Sequence, residues 1–96
     1  MEVRWFDDAL SDLERIQDFL LERNPTAAMT MITVLRQAAE ELSTLPHRGR
    51  PGRWTGTREL IVHGTPYILP YRVRKGVVEI LRVFHGARDW PTDPTD

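Results

Sequence analysis

The 96-residue sequence predicts an α+β fold in two layers: an N-terminal strand, a helical hairpin, then a three-stranded antiparallel meander. Three observations carry this. Apolar residues recur at helical spacing in two successive runs between Asp7 and Leu45. After residue 57 the pattern changes to strand-like runs rich in β-branched and aromatic residues. Lys75-Gly76 separates two of those runs by two residues, which signals a tight hairpin. Helices followed by consecutive antiparallel strands pack on one face of the sheet.

In chain order, "VRWF" at residues 3–6 reads as a short strand. In the run that follows, Ala9, Leu13, Ile16 and Leu20 form one stripe and acids fill the opposite face. Asp7 or Asp8 is expected to cap this helix. Asn24 is a natural cap for the second helix, and Pro25 suits its first position, where no N–H is needed. Ala28, Ile32, Leu35, Ala39 and Leu42 carry that helix to about Leu45. The link is so short that the two helices form an antiparallel hairpin.

"PHRGRPGRWTGT", residues 46–57, is a loop: two Pro, three Gly and three Arg, with no periodicity. "TRELIVH", "PYILPYRVR" and "VVEILRVFH" are the three strands. Tyr67, Leu69, Tyr71 and Val73 share one face of the middle strand; Ile68, Pro70, Arg72 and Arg74 share the other. Pro70 conflicts with a central strand and predicts a local irregularity. The expected core includes Leu13, Ile16, Ile32, Leu35, Leu60, Leu69, Tyr71, Ile80 and Leu81. Residues 1–91 are expected to form one domain, with 92–96 as a frayed tail.

The N-terminal residues contain acids and no apolar run, unlike a signal peptide. No stretch approaches the roughly 20 apolar residues that span a bilayer, so a cytoplasmic location is expected. The chain has no cysteine, which excludes a disulfide scaffold and a thiolate metal site. No spacing joins His47, His63 and His85 as metal ligands. No metal or other cofactor is expected.

The net charge of −1 conceals a split. Residues 1–46 hold four basic and nine acidic residues, whereas residues 47–88 hold nine basic and two acidic, a balance of +7. Twelve of the thirteen basic residues are Arg. The planar arginine fork suits phosphate and carboxylate, so nucleic acid or an acidic protein partner is indicated. The competing reading is an ordinary charged surface.

The candidate functional residues gather around "RVFHGARDWP", residues 82–91. His85 ends the last strand and reads as a proton carrier or target contact, or else as a strand-end histidine bonded to backbone. Arg82 interrupts an apolar strand face of Val78, Ile80 and Phe84 and therefore needs an ion pair or a ligand. Arg88 follows within three residues of His85. Arg58 is either a fourth site residue or a cross-strand partner of Glu79. With Arg72 and Arg74 these residues would form a concave basic surface on the open sheet face, beside the Arg48–Arg53 loop. Trp90 reads as a packing lid or as a stacking platform. The acids of the first helix read as a solvated face.

"NPTAA", "LPHRGRPGR", "GTRELIVHGTPYILPYRV" and "VVEILRVFHGARDWP", in this order and spacing, resemble the RelE/ParE superfamily of toxins from bacterial type II toxin–antitoxin modules. The resemblance runs from Val3 to about Pro91 and implies a RelE/ParE-like fold, a growth-inhibiting activity and a cognate antitoxin that wraps and silences the toxin. It also implies one of two targets. RelE-like members cut mRNA on the ribosome; ParE-like members poison DNA gyrase. Cleavage needs a base at the 2′-OH, cations on the phosphate and an acid at the leaving oxygen. His85, Arg58, Arg82 and Arg88 are the residue types for that task, with Trp90 or Tyr67 to stack on a base. Yet where RelE-type nucleases resemble "YRLVY" this chain has "YILPY", placing Ile68 at their catalytic arginine. Their basic position after the last strand falls at or near Gly86, with Arg88 close by. The alternative function is a non-toxic basic module that docks an acidic peptide.

Overall fold

The structure, a computed structural model of the full chain, describes residues 1–87 and 90–91. The elements are β1 (Glu2–Trp5), α1 (Asp7–Leu21), α2 (Pro25–Glu40), a 3₁₀ turn at Glu41–Ser43, β2 (Arg50–Pro51), β3 (Arg58–Ile61), β4 (Tyr67–Arg74), β5 (Val77–Ile80) and β6 (Phe84–His85). The expected two-layer α+β order is present. The sheet order is β1-β5-β4-β3-β2, and β6 pairs with β4 beyond the end of β5. The β3–β4–β5 meander is antiparallel. β1 joins its edge parallel to β5, with Val3 opposite Val78 and Trp5 opposite Ile80.

The helix ends follow local chemistry. The Asn24 side chain accepts from the Ala27 N–H at 3.1 Å, and Pro25 takes the first helical position, as expected. Neither Asp7 nor Asp8 caps α1: Phe6 holds that position, with no side-chain cap bond. The Phe6 N–H donates to the Ile80 carbonyl at 2.9 Å, so β1 runs directly into the helix. Both aspartates therefore lie in the first turn, where they face the positive end of the helix dipole. The second helix tightens after Glu40 instead of running to Leu45. That tightening buries Leu42 and leaves Leu45 exposed.

Lys75 and Gly76 both have positive φ, 54° and 76°. That is the type I′ geometry that matches strand twist in a two-residue hairpin. Leu69, Tyr71, Val78 and Ile80 from the sheet meet Leu13, Leu35, Ala39 and Leu42 from the helical layer, all buried. Ile16 and Ile32 pack against this core half-buried.

The irregularity expected at Pro70 is a β-bulge. Tyr71 pairs with Ile80, but Ile68 pairs with Phe84. Two residues of β4 therefore face three, Leu81, Arg82 and Val83, between the two ladders. Pro70 accepts from the Leu81 N–H at 2.9 Å and has no N–H to give back. The proline sits where the ladder breaks, which lets a central strand tolerate it.

Candidate functional site

The register separates residues that the sequence placed on one surface. Arg58 pairs with Tyr71 and so lies on the helix side of the sheet. Arg72 pairs with Glu79 on the far side. The far side is not an open cationic face: Glu79, 5% exposed, takes Arg72 at 2.6 Å and Arg74 at 3.4 Å. Arg4 is held by Glu2 on the same side. Glu79 thus belongs to Arg72, not to Arg58, because alternation puts those two on the same face.

Arg82 finds its partner on α1. Its Nε donates to Asp12 Oδ2 at 2.8 Å and its Nη2 to Asp12 Oδ1 at 3.0 Å. The Val83 N–H also donates to Asp12 Oδ2, at 2.9 Å, and Arg15 bonds Oδ1. The hydrogen bonds to Asp12, more than burial opposes, raise the Arg82 pKa above its usual value, with the charges of Asp12 and Asp8 adding to them. The guanidinium also lies 4.6 Å from the Phe84 ring centre.

His85, half-buried at the end of β6, accepts from the Ala87 N–H through Nδ1 at 3.2 Å. Its ring meets Tyr67 edge-on at 5.9 Å. Arg58 Nη1 donates to the carbonyls of Gly49 at 2.8 Å and His47 at 3.2 Å. Arg88 and the 92–96 tail lie outside the described residues. Trp90 packs in an aromatic group with Trp54 and Phe84, at 5.7 and 4.8 Å between ring centres. The Arg53 guanidinium lies 3.5 Å over the Trp90 ring, so this is the packing arrangement. Among the described residues, no three His, Cys, Asp or Glu side chains gather as metal ligands.

The arginine-rich loop is held from beneath. The Tyr71 hydroxyl accepts from the Gly49 N–H and donates to the Pro46 carbonyl, both at 2.8 Å. A Cβ at Gly49 would stand 2.6 Å from the Tyr71 ring, so only glycine permits this approach. Burial raises the Tyr71 pKa, against the Gly49 N–H and the Arg58 charge, which lower it. Glu59 accepts from Arg50 Nη2 at 2.9 Å, from the Arg53 N–H at 2.8 Å and from Arg53 Nε at 3.1 Å. Burial pushes the Glu59 carboxyl upward, but these bonds outweigh it and hold the pKa below the ordinary value of 4.5.

Two structural acids escaped the sequence reading, Asp12 and Glu59, both almost fully buried. Asp12 carried a signal. It stands three residues after Ala9 and four before Ile16, inside the apolar stripe and not on the solvated face. A carboxylate in a helix stripe and an arginine in an apolar strand face are complementary.

One sheet edge is uncovered. β2 pairs only with Arg58 and Glu59, and among the described residues no strand pairs with the outer edge of Leu60–Ile61. Two adjoining hollows of about 180 and 220 Å³ open beside it, sharing Arg48, Leu60, Ile61 and His63. The larger also borders Val34 and Ala38 of α2.

The family model for the ParE toxin of the type II toxin–antitoxin system parDE matches residues 3–90. Toxin RelE2 of Caulobacter vibrioides is 41% identical over 87 residues, covering 91% of this chain and 97% of that protein. A solved chain from the chromosomal ParDE system of P. aeruginosa superposes with a TM-score of 0.81 at 26% identity, covering 88% of this chain and 95% of its own. A chain of the RelBE2 toxin–antitoxin complex from Mycobacterium tuberculosis gives 0.64 at 29% identity, with the same coverage.

Proposed function

We propose that this chain, which belongs to the family of ParE toxins of type II toxin–antitoxin systems, stops growth by docking on DNA gyrase and not by cutting ribosome-bound mRNA. One observation carries the choice of target. The cations that would surround a scissile phosphate are engaged within the protein: Arg82 by Asp12, and Arg58 by the carbonyls of His47 and Gly49. Ile68, at the position where the resemblance puts a catalytic arginine, is buried and packs near Gly86. A nuclease needs free cations near its proton carrier, whereas the contacts of His85 run to the Ala87 N–H and the Tyr67 ring. A half-exposed strand end of His85, Tyr67 and the aromatic group instead offers a shaped, partly apolar contact surface, as protein targets require.

The partner that silences the toxin is a cognate antitoxin, a reading supported by the solved relatives described as toxin–antitoxin systems. No helix among the described residues is long and apolar enough to cross a membrane, which agrees with action in the cytoplasm. The antitoxin segment is read as extended, acidic and apolar by turns. The open Leu60–Ile61 edge, the hollows beside it and Arg48 support that reading.

Expression in a bacterial host tests the function. Growth arrest with loss of gyrase supercoiling or DNA breaks is expected, with mRNA ends unchanged. Ribosome-dependent mRNA ends would move the chain to the other target, with His85 as the candidate base. Normal growth would indicate the non-toxic module. His85→Ala is expected to lower toxicity while leaving the fold intact; a folded variant as toxic as the parent would place the contact elsewhere.

A further inference from the structure

We propose that Asp12, on α1, is a positioning residue: its carboxylate selects the register in which the last strand pairs with β4. Two registers are open to that strand. Continued without a bulge, the β4–β5 ladder would set Val83 opposite Ile68 and Phe84 opposite Tyr67. The observed pairs are Phe84 with Ile68 and His85 with Tyr67. Side chains alternate, so a one-residue difference sends each of them to the other face. In the observed register His85 shares a face with Tyr67, and Phe84 joins Trp54 and Trp90. In the other, Phe84 would displace His85 from beside Tyr67, and the aromatic group would lose a member.

Pro70 weakens the ladder at Leu81 because it has no N–H to give, but it supplies no acceptor for the donor that a bulge frees. A bulge takes one residue out of the ladder, and here the Val83 N–H is the donor that leaves it. Asp12 Oδ2 accepts that N–H at 2.9 Å while the same carboxylate binds Arg82 through both oxygens. With the carboxylate only 4% exposed, water does not replace these donors. In the unbulged register the Val83 N–H would turn back to the Ile68 carbonyl, leaving the buried carboxylate short of a donor. The acid on the helix and the bulge on the strand therefore require each other. The link to toxicity rests on the proposed function; the choice of register does not.

Three variants test it by NMR contacts between rings. Asp12→Ala is expected to lose the Tyr67–His85 and Trp54–Phe84 contacts and to gain a Tyr67–Phe84 contact. Arg82→Met leaves the Val83 N–H acceptor in place and is expected to keep the observed contacts. Asp12→Asn, which retains one acceptor oxygen, is expected to restore them relative to Asp12→Ala. A folded Asp12→Ala protein with both original contacts would overturn the proposal. Should that variant not fold, amide exchange in the unaltered protein decides. Val83 is expected to exchange as slowly as Leu81 in the adjoining ladder, and exchange as fast as exposed Ala87 would overturn it. If Asp12→Ala shifts register yet stays fully toxic, the register proposal stands and the strand-end surface is not the toxic one.

Discussion

Two buried carboxylates organise the chain on either side of β4, by different means. Glu59, 3% exposed, gathers Arg50, Arg53 and the Arg53 N–H, all within nine residues of it. Asp12, 4% exposed, gathers Arg82 and the Val83 N–H, which are 70 and 71 residues away. The Glu59 arginines are 49% and 44% exposed, whereas Arg82 is 21% exposed. Glu59 shapes its own loop, with little chain to close, and water screens its partners. Asp12 bonds form only when helix and sheet are packed together in one register. A local acid organises a loop, while a long-range acid reports and enforces tertiary structure.

The largest expected effect is at Asp12. Asp12→Ala removes the acceptor that Arg82 and the Val83 N–H share in the observed register, and losing one member of a buried pair costs about 3–5 kcal/mol. Urea denaturation measures it. Glu59→Gln is next, at about 1–3 kcal/mol, because exposed arginines recover water while the Arg53 N–H keeps an amide acceptor. If the two substitutions cost the same, sequence separation is not what distinguishes these sites.

Glu59 also makes a prediction about pH. Its folded-state pKa lies below 4.5, so its contribution is complete above 4.5 and declines as pH falls through the folded value. The stability difference between the parent and Glu59→Gln should stay level above pH 4.5 and shrink below it. A difference independent of pH down to acid unfolding would show that folding does not lower the Glu59 pKa.

Tyr71→Phe is a milder test of the loop. It removes the hydroxyl that links Gly49 to Pro46, at an expected cost of about 1 kcal/mol. Amide exchange at Gly49 should quicken. The smallest effect is Arg50→Ala, no more than about 1 kcal/mol by denaturation, since its side chain is 49% exposed and Arg53 still serves Glu59. A larger loss would mean that the loop depends on Arg50 more than an exposed pair allows.

Much of the fold was legible because it is local. The apolar stripes placed both helices, Asn24-Pro25 placed the start of α2, and Lys75-Gly76 placed the hairpin. Most of the expected core is buried, Leu35, Leu69, Tyr71 and Ile80 completely. Pro70 correctly marked a fault in the central strand without revealing its form. The candidate site was less legible. His85 was found at its strand end, but Arg58, Arg72 and Arg82 were assigned one surface that the register divides between two.

By itself, then, the sequence determined the order and type of the main elements, the apolar face of each, the hairpin turn and the charge split, although β2 lies in the stretch read as a loop and the last strand divides into β5 and β6. Those properties depend on residues a few positions apart, where backbone geometry sets which side chains share a face. Only the tertiary structure decided that β1 runs parallel beside β5, that the last strand carries a bulge, and that Arg82 belongs to Asp12 and not to a ligand-facing surface. Periodicity shows that an arginine on an apolar strand face needs an ion pair or a ligand. Which acid answers depends on how elements 70 residues apart pack and slide, and a single-residue shift of register changes the outcome.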